Sequence, residues 1–316
     1  MSAPRARVVR RPVHGVLLLD KPRGLSSNNA LQKAKWLLRA EKAGHTGTLD
    51  PLATGVLPLC FGAATKFSQL QLEADKAYEA VAVLGVRTST GDAEGEVVDA
   101  RPAELPDGQA LEAVTRRFTG PIRQVPPMHS ALKKDGRALY EYARAGEEVE
   151  REARDVVVRE LRLAPGDPTP EGRPTLRIFA RVSKGTYIRT LGEDIGTALG
   201  CGAHLASLRR VATGNFELSQ CTTLQALEAL AEGERSALLQ PPECLLTGHV
   251  PVTLDAENAG RFLSGVRRRG DWPDQDAAAV FADHPRALLG TAHVRAGELI
   301  PGRLLSPIEI QQILSS

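Results

Sequence analysis

The residues with the greatest chemical potential lie in "AGHTGTLDPLATGVLPLCFG", residues 43–62. A histidine, His45, and a lone carboxylate, Asp50, share this span with glycines, just before an apolar run. Pro51 biases Asp50 toward extended backbone, and glycines allow another body close to the main chain. Such an aspartate either closes its own turn, as is common before proline, or presents an ionised oxygen to a substrate. His45 is either a packed loop histidine or a contact to that substrate. No second His or Cys stands at ligand spacing, so no metal is expected. A second group is "SKGTYIRTLGEDIG", where Tyr187 and Arg189 mark a passage from strand to helix. Arg189 either pairs with Glu193 one turn on or holds a carboxylate from elsewhere in the fold. A buried Asp needs such a cation to stay charged, and the guanidinium fork suits it. Tyr78 opens a strand. Aromatics are only 4% of the chain, so a stacking platform for a base rivals an ordinary cross-strand ring. "GAHLASLRRVATGNF" adds Arg209 and Arg210, candidates for contact with a nucleic-acid backbone. There is no P-loop, GxGxxG or GxSxG, which leaves a cofactor-free enzyme or a binding protein.

These residues need elements to hold them. "HGVLLLDKP" reads as a buried strand stopped by Lys-Pro. "SSNNALQKAKWLLRAE" reads as a helix capped by Ser26 or Ser27, with Ala30, Leu31, Ala34, Leu37 and Leu38 on its apolar face. The Asp50 segment is a loop running into a strand, "GVLPLCFG". "KAYEAVAVLGVRTST", "RDVVVRELRLAP" and "PTLRIFARVSKG" read as strands. "GDAEGEVVDA" reads as a turn and strand. "DGQALEAVTRRFTG" and "TYIRTLGEDIGTALG" read as helices, the latter stopped at Gly200. "PIRQVPPMHSALKKDGRALYEYARAGEEV" reads as loop with a short helix over 137–145. Strands and helices alternate irregularly, which predicts an α+β fold: a mixed, largely antiparallel sheet with flanking helices. "LQPPECLL" marks a boundary, beyond which a helix over 256–264 and several strand-like runs form a small β-rich module. The expected division is a mobile basic arm over 1–12, a main domain over 13–245 and a C-terminal domain over 246–316.

The 316 residues carry 40 Lys and Arg against 38 Asp and Glu, a net charge of +2. That neither demands nor excludes nucleic acid, because arrangement outweighs the sum. The basic residues do cluster, from Arg5–Arg11 to Arg267–Arg269, which tilts the reading toward a polyanionic partner. The four cysteines form no CxxC pair and no zinc pattern; reduced buried thiols of a cytoplasmic protein are expected. No secretory signal and no membrane-spanning run is visible.

The ordered blocks "HGVLLLDKPRGLSS", "AGHTGTLDPLATGVLPLCFGAATK", "DKAYEA", "PPMHSALKKDGRALYEYAR", "SKGTYIRTL" and "GAHLASLRR" closely resemble the TruB family of tRNA pseudouridine synthases, of the bacterial type. The resemblance is dense over residues 13–215 and thinner beyond. It implies the pseudouridine synthase fold with a small PUA-like C-terminal domain. It implies isomerisation of uridine 55 in the tRNA T-loop, the glycosidic bond moving from N1 to C5 without redox change or cofactor. The T-loop base is buried, so it must be flipped out. Residue by residue, the resemblance makes Asp50 the catalytic aspartate, attacking either C6 of the base or C1′ of the sugar. It makes Arg189 the partner that preorganises it. Tyr78 stacks on the target base and offers a hydroxyl for proton transfer. His45 fills the vacated space, where Gly44 and Gly47 let the backbone approach the RNA. Tyr187 and Leu208 form pocket walls, and Lys21 stands at the pocket edge. The family more often has Tyr or Phe where this chain has His129. The expected partner is the T-stem-loop of tRNA, with no membrane, no protein partner and a monomeric state. Two rival functions are a tRNA-folding factor acting independently of modification, and a guide-RNA-dependent synthase of the archaeal and eukaryotic kind. The short arm without lysine-rich extensions argues against the latter.

Overall fold

Leucine and valine fill both faces of the strand Gly15–Lys21: Leu17 and Leu19 enter one apolar layer, Val16 and Leu18 the other. A strand buried on both sides must lie inside a sheet. In the computed structural model, which describes residues 9–315, this strand belongs to a ten-stranded sheet, counted among the described residues. The order across it is Thr222–Thr223, Gly15–Lys21, Thr54–Phe61, Ala203–Thr213, Lys76–Leu84, Thr175–Val182, Arg154–Pro165 and Gly120–Gln124. Thr222–Thr223 with Gly15–Lys21, and Thr54–Phe61 with Ala203–Thr213, pair in parallel; the other neighbours along this path are antiparallel. The sheet is therefore mixed and largely antiparallel.

Among the strands that escape the sequence reading are two that shape the sheet. Gly120–Gln124 carries Pro121, which only an edge strand tolerates, and it pairs on one side alone, with Arg154–Pro165. Ala203–Thr213 is central, but bulges between Leu205 and Ser207 and between Arg210 and Ala212 break its alternation.

The helices Ser27–Leu37, Gly108–Phe118 and Ile188–Ala198 cover one face of the sheet. Ser26 caps the first, its Oγ accepting from Asn29 N at 3.1 Å, which frees Ser27 for another task. All five apolar positions expected on that helix are buried. Part of the opposite face is covered by the C-terminal module. Its five-stranded sheet runs Val250–Leu254, Gln275–Ala282, Ala287–Arg295, Glu298–Leu304, Arg268–Arg269. This sheet has its own core around Phe262 and Val280. It also shares a cluster in which Ala279, Phe281, Leu288 and Leu305 join Val16, Leu18 and Val56 of the large sheet and Phe67 just beyond it.

Residues 1–8 of the expected arm lie outside the described residues. The rest is not a free arm: Arg10 donates to the Ala40 carbonyl at 2.8 Å and Arg11 N donates to Arg39 O at 2.8 Å. Among the described residues no helix is long and apolar enough to cross a membrane.

Candidate active site

The loop that carries Asp50 joins Ala43–His45 to Thr54–Phe61, and it is tied down at several points. Leu49 N donates to Ser27 Oγ at 2.7 Å, and that hydroxyl donates back to Leu49 O at 3.1 Å. Gly24 N donates to Pro51 O at 2.8 Å, and Ala53 N closes a turn onto Asp50 O at 3.1 Å. Gly47 adopts φ +100°, a region that side chains with a Cβ avoid. Gly55 has φ +101°, and a Cβ there would sit 2.1 Å from the Arg210 carbonyl oxygen. The aspartate is thus held through the main chain of its neighbours, by the Ser27 hydroxyl and by the turn that leads into that helix, and its side chain is left for other work.

That side chain meets Arg189. Arg189 Nε lies 2.9 Å from Asp50 Oδ2 and 3.6 Å from Asp92 Oδ2. Its Nη1 donates to Thr90 O at 2.9 Å and its Nη2 to His129 O at 2.7 Å. Every nitrogen of the guanidinium therefore has a partner, and Glu193 is not among its ion partners. The arginine side chain is 4% exposed and the aspartate 36%. The pair is sealed on the arginine side and open on the aspartate side, the direction from which a substrate can arrive. Asp92, buried in the turn after "STG", is held by Thr90 Oγ1 at 2.6 Å and Glu94 N at 3.0 Å, both donating to its Oδ1. Burial pushes the Asp50 carboxyl above the ordinary carboxylate range; Arg189 pulls it back down and the neighbouring charge of Asp92 pushes it up.

Asp50 lies between two hollows. One, of about 570 Å³, is walled by Tyr78, Tyr187, Leu208, Val182 and Arg210. The other, of about 470 Å³, holds His45, Asp92, Glu94, His129 and Arg144. Asp50 and Arg189 border both. In the first hollow, burial raises the Tyr187 hydroxyl. In the second, burial and then Arg210 hold His45 below the usual histidine range, and burial and then Arg189 do the same for His129. Both shifts favour the uncharged imidazole. His45 Nδ1 is buried without a hydrogen-bond partner.

The structure brings Asp50, Arg189, Tyr78, Tyr187 and Leu208 around one space and sets His45 across Asp50 from them. Lys21 is elsewhere than expected. It is fully buried, and its ammonium donates to the carbonyls of Leu25 at 2.6 Å, Pro22 at 3.0 Å and Pro51 at 3.5 Å. It lines neither hollow; it anchors the loop beneath Asp50, because three carbonyls converge on its ammonium. Burial lowers it to about 8, against the pull of Asp50. Arg210 is likewise structural, 1% exposed and donating to Val56 O at 2.7 Å. Arg209 pairs with Asp20 at 2.7 Å.

Two contributors escape the sequence reading. Asp92 stands far from Arg189 in the chain, and only tertiary folding unites them. Gln124, 3% exposed, clamps the backbone of Tyr187: its Nε2 donates to Tyr187 O at 3.1 Å and its Oε1 accepts from Tyr187 N at 2.8 Å. A strand reading of "PIRQ" would have put Ile122 and Gln124 on one inward face.

Two family models match the chain. The TruB family pseudouridylate synthase (N terminal domain) covers residues 35–188, and the tRNA pseudouridylate synthase B C-terminal domain covers residues 189–247. The tRNA pseudouridine synthase B of Verminephrobacter eiseniae is 65% identical over 317 residues, spanning 99% of this chain and 95% of its own. That of Cupriavidus taiwanensis is 58% identical over 306 residues, 95% of this chain and 96% of its own. Among solved structures, the archaeal box H/ACA sRNP Nop10–Cbf5 complex superposes with a TM-score of 0.68 at 24% identity, over 94% of this chain and 87% of that one. A Cbf5–Nop10–Gar1 complex gives 0.65 at 26%, over 96% and 81%. These likenesses speak for the fold.

Proposed function

The chain belongs to the TruB family of pseudouridine synthases, and on that premise we propose that it isomerises uridine 55 in the T-loop of tRNA to pseudouridine, with Asp50 as the catalytic nucleophile. The observation that carries the assignment is the Arg189–Asp50 contact of 2.9 Å, closed behind the arginine and open before the carboxylate. An ionised oxygen in a dry site, preorganised by a fixed cation, is what rearrangement of a glycosidic bond requires. The flipped uridine enters the hollow lined by Tyr78, Tyr187 and Leu208. Tyr78 stacks on the base, and its hydroxyl is placed to move a proton once the base has turned. His45, whose burial favours the uncharged imidazole, sits on the other side of Asp50 and contacts the RNA that the base has left. Arg189 orients Asp50, and Asp92 in turn fixes Arg189. Lys21 supports the loop from beneath and does not touch the substrate.

The enzyme acts on naked RNA as a cytoplasmic monomer, without guide RNA or protein partner and without a cofactor. In support, curated relatives that match nearly the whole chain are named tRNA pseudouridine synthase B. No feature of the site favours a folding role separate from modification. Mass mapping of unmodified tRNA after incubation with the purified chain tests the proposal, together with an isolated T-stem-loop. Pseudouridine is expected at the T-loop uridine of both, and none with Asp50→Asn, which still binds tRNA. Full turnover by that variant removes Asp50 from the mechanism. Turnover only when guide or partner is added removes the stand-alone reading.

A further inference from the structure

The reverse face of the large sheet carries a trough that the reaction leaves unused. On Lys76–Leu84 and Thr175–Val182, residues of one parity, such as Ala80, Ala82, Ile178 and Ala180, enter the helix-covered core. Those of the other parity, Glu79, Arg177 and Phe179, turn away from it, as does Arg162 on the neighbouring strand. With Arg209 and Arg23 they line a trough of about 700 Å³. Four guanidinium groups and the Glu79 carboxylate line it; Arg162 also pairs with Glu160 at 3.3 Å and Arg209 with Asp20 at 2.7 Å, while Arg23 and Arg177 have no carboxylate partner among the described residues.

The chemistry of the lining selects an occupant. Arg162 lies over the Phe179 ring, 4.1 Å from its centroid, which makes a flat cationic surface on which a nucleobase stacks. Arg177 is fixed by its Nε, which donates to Pro165 O at 3.1 Å, and it has no other bonded partner among the described residues. Arg23 has none at all among them. It precedes Gly24, whose N–H is bonded to Pro51 O beside Asp50, and Leu208 lines both the trough and the Tyr78 hollow, so Arg23 stands where the trough meets the mouth of the active site. Arginine forks suit phosphate oxygens. An acidic protein would also answer to the charge, but the Arg–Phe plane and the continuity with an RNA-engaging mouth favour RNA.

We propose that this trough binds a single-stranded segment of the same tRNA, outside the arm that carries the target uridine, with guanidinium groups on its phosphates and the Arg162–Phe179 plane under one base. The proposal rests on the function given above. Its test compares full-length tRNA with the isolated T-stem-loop, using R162E/R177E and the milder R162Q/R177Q. Neither residue touches the catalytic pocket. Dissociation constants are read over a salt series, and turnover is read on the stem-loop. For full-length tRNA, the charge-reversed pair is expected to weaken binding about tenfold and to flatten the log–log salt slope by about 1.4, the contribution of roughly two phosphate contacts to a single strand. The glutamine pair is expected to shift both the same way, by less. Stem-loop binding and turnover are expected to stay at wild-type values, which also shows that the variants are folded. Unchanged affinity for full-length tRNA overturns the proposal. So does an equal loss on the stem-loop, since the trough would then serve the arm itself. Binding of polyglutamate by the wild type, lost in the variants while tRNA is unaffected, assigns the trough to an acidic protein and also overturns it. If the wild-type chain isomerises no uridine, the functional reading fails by itself, and the tRNA affinities still judge the trough.

Discussion

With Asp50 as the proposed nucleophile, Asp50 and Arg189 set the expected pH response at the scale of single residues. Burial holds the Asp50 carboxyl above its ordinary range, and Arg189 is the strongest force pulling it down. The reaction needs the ionised form, present above that pKa and lost as pH falls through it. The acid limb of kcat should therefore lie at higher pH than for a free carboxylate. Arg189→Gln removes the opposing charge and should move that limb higher still. It should also lower kcat by about 10²- to 10³-fold, the scale for loss of one preorganised electrostatic partner. A pH–rate profile on the T-stem-loop measures both; an acid limb that stays fixed in Arg189→Gln would show that the guanidinium does not govern Asp50. Asp92 belongs to the same unit, because it and Asp50 share Arg189 Nε, so their substitutions should not be additive.

At the scale of elements, the start of helix Ile188–Ala198 is placed by an edge strand rather than by a cap of its own. Tyr187, the residue that precedes the helix, makes no side-chain cap; Gln124 holds its N–H and its carbonyl instead. Gln124→Ala leaves the Tyr187 N–H without its partner, at about 1–3 kcal/mol, while the Tyr187 carbonyl keeps its bond from Leu191 N at 3.0 Å. Thermal denaturation should register a drop of that order. The same variant should lose kcat on the stem-loop, since Tyr187 and Arg189 both shift with the helix start. A stability loss without any change in kcat would mean that the clamp serves the fold alone. The Asp50 loop follows the same logic: Ser27, freed from capping by Ser26, holds Leu49 through two bonds.

At the scale of the whole molecule, the two sheets share a core instead of meeting across a thin linker. Phe281 and Leu288 of the C-terminal module pack with Val16 and Leu18 of the large sheet and with Phe67 just beyond it. Lys66 pairs with Glu309 at 2.6 Å and donates to Leu304 O at 2.9 Å across the same seam. Phe281→Ala should cost about 3–5 kcal/mol. Because the seam is common to both sheets, calorimetry should show one transition moved down rather than two separated ones. A large-sheet transition at the wild-type temperature beside a lowered second one would show the module to be an independent unit.

Much of this was legible in the chain. The helix over Ser27–Leu37 and the strand Gly15–Lys21 follow from local apolar periodicity and from stop signals at Lys-Pro. The likeness of the ordered blocks pointed to Asp50, Arg189, Tyr78, Tyr187, Leu208 and His45 as one site. Local pattern could not reveal partners supplied from a distance. Whether Arg189 turns to Glu193 on its own helix or to Asp50 and Asp92 depends on which loops the sheet order brings over it. Lys21 looks like a pocket cation in sequence, and becomes a buried anchor only because the carbonyls of Pro22, Leu25 and Pro51 converge on it. Arg209 and Arg210 look alike as neighbours, yet adjacent residues on a strand point to opposite faces. One turns to Asp20 and the reverse trough, and the other is sealed inside. Sequence determined which elements form and which chemical groups are present. Tertiary structure alone decided which groups are dry, which are paired and which remain open to a substrate, because those properties depend on residues far apart in the chain.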